Sequence, residues 1–454
     1  MYRNHLKAAL RNLSKNKVFS AINIMGLAVG LGAFMLIWQF VQFEKSYDEF
    51  HELKDDIYRV QYNRIYSDHT DASAGFAAGG GPGLYRLLPE VESFTKMWSA
   101  SFMTNQLTVG EETFLPDRIY YADSAFFKIF SFPLIEGDRN TVLDEANHLV
   151  LSESMAMKIY GRTDIVGESM RVNNGYDINS LYEVSGVFKD LPADTHFEFD
   201  MLLSFESLVK ATEGRATETF SWNAFPTYVQ LSPGVDHKAL EAKFEPFIKE
   251  NYHSDLERGV QVELSLMPLE DIYLKSNVRF ETGPTGSEKA VNILTGIAIL
   301  ILVLAYFNYI NLSTTKSIER AKEIGVRKVN GATKSNLIFQ FLNESFLLNL
   351  LGLILGFTLM QSSIPLFEKV LERPLMQLTS LNGASIVLFV VLLLGGTLLS
   401  GFYPAWVLSQ TKTLKVLKGQ KGVEGKDGLI RKGLVVLQFT ILGLLLIGSL
   451  AVRS

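Results

Sequence analysis

The sequence predicts a membrane protein: an α-helical transmembrane bundle of four spans, plus a fifth at the C-terminal end, with a large α+β extracytoplasmic domain inserted between spans 1 and 2. Three observations predict it. The apolar residues of the 454-residue chain are gathered into blocks of about twenty or more, the length needed to cross a hydrocarbon core of ~30 Å. Basic stretches abut those blocks. Between the first two blocks lies a long segment rich in Tyr, Phe and Asp, with strand-like alternation broken by Gly and Pro.

Charge sets the orientation. The chain carries a net −5, yet residues 1–17, 312–336 and 409–433 together hold 18 Lys and Arg against four Asp and Glu, so the remainder carries −19. Basic segments next to spans stay on the cytoplasmic side. That puts the N-terminus and residues 313–336 inside and residues 43–289 outside. A nucleic-acid reading of the basic stretches gives way to this one because each abuts a span. With no cysteine in the chain, disulfides and a thiol nucleophile are excluded.

Residues 1–17 are a basic amphipathic lead-in to span 1, 18–42, whose apolar run is too long for a signal-peptide core and reads as an uncleaved anchor. Gly26 and Gly30 sit at GxxxG spacing, which lets helices approach closely. In the outer domain, 43–289, strands are expected over 56–62, 182–188, 197–202, 227–231 and 262–266. A helix is expected after the glycine run 79–83, ending at Pro89, and another through Leu240 and Phe244. Span 2 is expected at 290–312. Span 3, 337–362, carries Gly352 and Gly356 at GxxxG spacing. Its inner half places Gln340, Asn343 and Glu344 on one face, with Glu344 the intramembrane carboxylate of most interest and Arg327 or Lys328 its expected partner. A short outer loop, 363–383, contains Pro365. Span 4, 384–408, carries Gly396 in a run of small residues that favours close packing. A basic loop, 409–433, leads to span 5, 434–452, which reads as the start of a second repeat, so that the chain resembles the first half of a longer duplicated protein.

The loop 313–336 is the stretch no span would tolerate. Ile318, Ala321, Gly325, Val329 and Ala332 fall on one helical stripe, with Arg320 and Arg327 opposite and Glu323 placed to pair with Arg327 at i,i+4. Gly331 is positioned to end that helix, and Thr333 to cap the next, which runs into span 3. An interfacial helix lying on lipid is the bland alternative, but the stripe is poor in Leu, Phe and Trp. The spacing alone specifies a docking helix beneath a membrane bundle.

The run Glu319-Arg320-Ala321-Lys322-Glu323-Ile324-Gly325-Val326-Arg327-Lys328, followed by Gly331-Ala332-Thr333, resembles the signature of FtsX/MacB-type ABC transporter permeases. The resemblance implies that this segment, Lys328 and Ile324 included, is a coupling helix that contacts a separate ABC ATPase. It also implies that 290–412 is an FtsX-like permease domain and 43–289 a MacB-like periplasmic domain. The resemblance places the chain in the bacterial cytoplasmic (inner) membrane, where the permease units would form a dimer or pseudo-dimer in lipid, with a periplasmic or outer-membrane partner.

No catalytic constellation emerges: GxxxxGK[ST], GxSxG and HExxH are all absent, and the seven histidines lack zinc-ligand spacing. No catalytic, cofactor or metal residue is therefore expected, and ATP hydrolysis is assigned to a partner. The resemblance implies a permease that moves its outer domain to export or extract a peptide, drug or lipoprotein. A regulator of cell-wall hydrolases driven by the same coupling is an alternative, although such members have smaller outer domains. A membrane-anchored ligand sensor is the other; it would carry a signalling domain after the second span, where this chain has more spans.

Overall fold

The computed structural model describes residues 11, 17–176, 178–319, 326, 329, 331, 333–371, 383–410, 432, 433, 435–440 and 443. The chain divides into a helical unit, Met1–Phe43 with Lys289–Ser454, and a mixed unit, Glu44–Glu288.

Among the described residues of the helical unit, four helices are long and apolar enough to cross a membrane: Lys17–Lys45, Glu288–Thr314, Lys334–Lys369 and Ser385–Phe402. In lipid every backbone polar group must be satisfied within the segment, which makes helix the only choice for an isolated apolar run. The hydroxyls obey the same constraint by bonding back to their own helix. Thr314 Oγ1 donates to Ile310 O, Thr358 Oγ1 to Ile354 O and Thr397 Oγ1 to Leu393 O, each one turn earlier.

Two helix ends differ from the sequence expectation. The second helix continues without a break from Glu288 to Glu319, through the expected start of a separate helix at Ile318, because residues 313–317 contain neither Gly nor Pro. The third runs from Lys334 to Leu371 with Pro365 inside it, so the expected outer loop at 363 is still helix. Proline removes one hydrogen bond from a helix interior but adopts helical φ, and neighbouring groups can compensate in a membrane. Residues 372–382 of that loop lie outside the described residues, as does most of the expected fifth span.

Fourteen strands form one sheet among the described residues of the mixed unit. They are β1 (Ile57–Ile65), β2 (Thr70–Ser73), β3 (Gly75–Ala77), β4 (Val91–Ser99), β5 (Gln106–Val109), β6 (Glu112–Phe114), β7 (Ile119–Ala122), β8 (Leu134–Glu136), β9 (His148–Ser152), β10 (Ser169–Asn173), β11 (Ser180–Phe188), β12 (Met201–Ser204), β13 (Asn223–Leu231) and β14 (Gln261–Pro268). Their spatial order is β14-β1-β13-β4-β7-β12-β9-β11-β10-β5-β6, with β2, β3 and β8 pairing beside this path. Two ladders are parallel, β9 with β11 and β7 with β12. Leu240, Phe244 and Phe247 cover the β14-β1-β13 end, while Tyr121, Leu149, Tyr182 and Leu203 fill the core towards the far end.

Between these cores lies a knot of phenylalanines, Phe126, Phe127, Phe130, Phe132, Phe188, Phe197 and Phe199, all nearly inaccessible. This cluster explains the third difference. The alternation over 197–202 suggests a strand, but only Met201–Ser204 joins the sheet. Glu198 N donates to Thr282 O and Asp200 N to Arg118 O, so this backbone finds partners outside a regular ladder while Phe197 and Phe199 enter the core.

Candidate functional site

The foot of the third span is the described part of the predicted coupling segment. Gly331 has φ +92°, the left-handed conformation that closes a helix and that glycine adopts without a Cβ clash. Two residues later, Thr333 Oγ1 accepts from Asn336 N at 3.3 Å, an N-cap on the helix beginning at Lys334. The first turn, Lys334 to Asn336, is exposed, and Leu337 and Phe341 beyond it are buried, with Ile338 packed beside them. Val326 and Val329 are exposed, at 51% and 68%. Ile318 lies in the last turn of the second helix; Arg320, Ala321, Glu323, Ile324, Gly325, Arg327, Lys328 and Ala332 lie outside the described residues.

About two turns beyond the cap, Gln340 Nε2 donates to Glu344 Oε1 at 3.1 Å, while Asn343 Nδ2 donates to Phe339 O at 2.8 Å. The polar face of the third span is thus partly occupied by its own helix. The expected partners of Glu344, Arg327 and Lys328, lie outside the described residues.

The five glycines singled out for packing all lie against other helices. A Cβ on Gly30 would stand 2.4 Å from Ala305 Cβ, and one on Gly26 3.2 Å from Asn308 Nδ2, so this pair faces the second helix. A Cβ on Gly352 would meet Leu27 Cβ at 2.8 Å, and one on Gly356 would meet Ala28 O at 2.8 Å, so that pair faces the first. Gly32 completes the crossing, its missing Cβ 2.9 Å from Gly356 O. With lipid as apolar as leucine, this close packing is the reason for helices to associate. Gly396 faces Tyr306, whose hydroxyl would be 2.4 Å from an added Cβ.

The sequence reading missed a polar seam inside the bundle. Tyr306 OH donates to Leu392 O at 2.9 Å and Tyr309 OH to Ser345 Oγ at 3.0 Å. Asn349 Nδ2 donates to Ser345 O at 2.9 Å and Ser400 Oγ at 3.0 Å. The Asn349–Ser345 bond lies within the third helix, and the other three join the second, third and fourth helices, each worth about 0.6 kcal/mol in a membrane setting. The signal was present in the spacing: Tyr306 and Tyr309, Ser345 and Asn349, and Gly396 and Ser400 each fall on one helix face.

The chain matches two family models, a MacB-like periplasmic core domain over residues 20–247 and an FtsX-like permease C-terminal domain over residues 295–413. It is 23% identical over 367 residues to YvrN, an uncharacterized ABC transporter permease of Bacillus subtilis (strain 168), covering 78% of this chain and 85% of that one. It is 21% identical to the macrolide export ATP-binding/permease protein MacB of Syntrophobacter fumaroxidans, covering 92% of this chain but 64% of the relative's length. A solved periplasmic region of MacB from Actinobacillus actinomycetemcomitans aligns at 15% identity over 48% of this chain and 92% of that one, with a TM-score of 0.34.

Proposed function

This chain belongs to the FtsX/MacB-type ABC transporter permeases, and we propose that it couples ATP hydrolysis on a separate ATPase to movement of its unit Glu44–Glu288, for export or extraction of a substrate. One observation carries the proposal. The Gly331 stop and Thr333 cap begin a helix of 38 residues. At about 1.5 Å per residue that helix is about 57 Å long, well beyond a hydrocarbon core of ~30 Å. Further along, its Gly352 and Gly356 grip the first span, and the first span leads by chain directly into Glu44. A displacement at the loop therefore has a stiff, closely packed path to the start of the outer unit.

The naming of relatives for macrolide and pyoverdine export favours a transport role, as does the size of the outer unit. The loop would supply the ATPase contact through Ala321, Gly325 and Val329, with Arg320, Arg327 and Lys328 on its basic side. Gly325→Arg blocks close approach of a partner surface, and Arg327→Glu puts repulsion where Glu323 had a cationic partner. Both should abolish co-purification with the ATPase and uncouple ATP turnover in membranes while leaving insertion intact. Wild-type levels of both in the two variants would remove this segment from the coupling role.

A further inference from the structure

Two segments of the mixed unit, one following the first span and one preceding the second, hold residues in a backbone conformation that side-chain-bearing residues avoid. Asp48 has φ +61° and so does Phe280. Aspartate tolerates the left-handed region, but a bulky phenylalanine there is an outlier that surrounding contacts must enforce.

The enforcing contacts are buried. In the ingoing segment Asp48 N donates to Asp194 O at 2.8 Å, and its carboxylate accepts from Thr195 Oγ1 at 2.7 Å and is joined to His196 Nδ1 at 2.7 Å. In the outgoing segment, the residues flanking Phe280 are pinned. Ala74 N donates to Arg279 O, Arg279 N to Ala72 O, and the Glu281 carboxylate takes both Nη atoms of Arg59, with Ser276 Oγ bridging the pair.

The two systems meet. His196 Nε2 lies 2.8 Å from Tyr228 OH, and Tyr228 OH lies 3.2 Å from Thr282 Oγ1, in the outgoing segment. These contacts form one continuous buried line from Thr282 through Tyr228 and His196 to Asp48. All four residues are nearly inaccessible.

The geometry points to a two-part latch: residues 46–52, turned at Asp48, and residues 276–283, strained at Phe280, close and open together, coupled through the buried line Asp48–His196–Tyr228–Thr282. These are the stretches by which the chain enters and leaves the outer unit, so a latch here sets whether that unit is rigid or loosened at its base. Its use in transport rests on the reading proposed above. Its existence does not, and the test therefore reads hydrogen exchange and not ATP turnover.

The experiment is hydrogen–deuterium exchange on the full chain in detergent or nanodiscs, followed in peptides covering 46–52, 276–283 and, as reference, β1 and β13. Asp48→Asn keeps a residue that accepts the left-handed backbone but removes the charge. It should raise exchange about tenfold in both segments while β1 and β13 keep their protection. Added to Tyr228→Phe, which cuts the line and keeps the ring, Asp48→Asn should raise exchange in 46–52 alone. Ser276→Ala, a milder change from the other side, should raise exchange in 46–52 as well as locally. Phe280→Gly relieves the strain and should lower exchange in both. Loosening confined to the mutated segment in Asp48→Asn and Ser276→Ala overturns the latch, as does loosening that spreads equally into β1 and β13.

Discussion

Arg59 and Tyr228 are register partners across the β1–β13 ladder, fully buried, and each reaches the outgoing segment through a neighbouring residue, Glu281 for the guanidinium and Thr282 for the phenol. A buried arginine is costly unless paired and hydrogen-bonded, and here both Glu281 and Ser276 meet it.

Removing the partner should expose that cost. Glu281→Leu leaves Arg59 uncompensated and is expected to destabilise the outer unit by about 3–5 kcal/mol. Arg59→Met with Glu281→Leu should recover much of the loss, since an apolar pair of similar volume needs no solvation. Thermal unfolding of the single and double variants checks this; equal stability of the single variant and wild type would contradict it.

Acid should act through His51. Its Nδ1 accepts from Ser131 N at 3.0 Å, so a proton on that atom would face another N–H, and burial among Phe130 and Phe132 further disfavours the charged form. Burial, offset in part by Asp48, brings the pKa from 6.5 to about 4. The unfolded chain takes up this proton below 6.5 while the folded chain does not, so the contribution of His51 falls as pH drops from 6.5 to 4, by about 3 kcal/mol. Burial pushes Asp123 the other way, up to about 6 against its donors Thr95 and Lys96 N. Its folded form holds a proton that the unfolded chain releases above 3.8, so its contribution falls as pH rises from 3.8 to 6. The two oppose each other, so the check is by difference. His51→Phe should gain stability relative to wild type as pH falls from 6.5 to 4, and Asp123→Asn should gain relative to wild type as pH rises from 4 to 6. Parallel unfolding curves across this range would rule both out.

Neighbouring glycines in the fourth span should respond oppositely. A Cβ on Gly396 meets Tyr306 OH at 2.4 Å, whereas one on Gly395 has nothing within 4 Å. Gly396→Ala should cost about 1–3 kcal/mol by overpacking. Gly395→Ala should be neutral or stabilising by up to about 1 kcal/mol, since alanine favours helix. Melting temperatures in detergent decide it, and equal shifts would show that the Tyr306 contact is not tight.

Orientation can be read by labelling. The chain has no cysteine, so single cysteines at Ser67 and Ser317 give a clean background. An impermeant thiol reagent should reach position 67 from outside and position 317 only from inside. Labelling from the same side would reverse the assignment of one segment.

The spans were legible because membrane thickness imposes a length on apolar runs, and the Gly331–Thr333 stop-and-cap because both residues act within a few positions of themselves. The end of the third helix was not, since Pro365 reads as a stop only where water competes for the freed carbonyl. The strand expected over 197–202 failed because alternation reports which side chains are buried, not what the backbone pairs with. The Asp48–His196 contact joins residues 148 positions apart, and no local pattern carries such a pairing. The glycine contacts fell between these cases: spacing identified small faces, but not that Gly30 meets Ala305 while Gly356 meets Ala28.

Strand β4 pairs with β13 through Val91–Lys96 and with β7 through Met97–Ser99, so a single continuous strand carries the sheet from one half to the other. The eleven strands of the sheet's path are ten steps of about 4.8 Å, roughly 48 Å followed along the sheet. Strand β4 is the axle between the two halves: a turn begun in β13 reaches β7 only through the unbroken backbone from Val91 to Ser99.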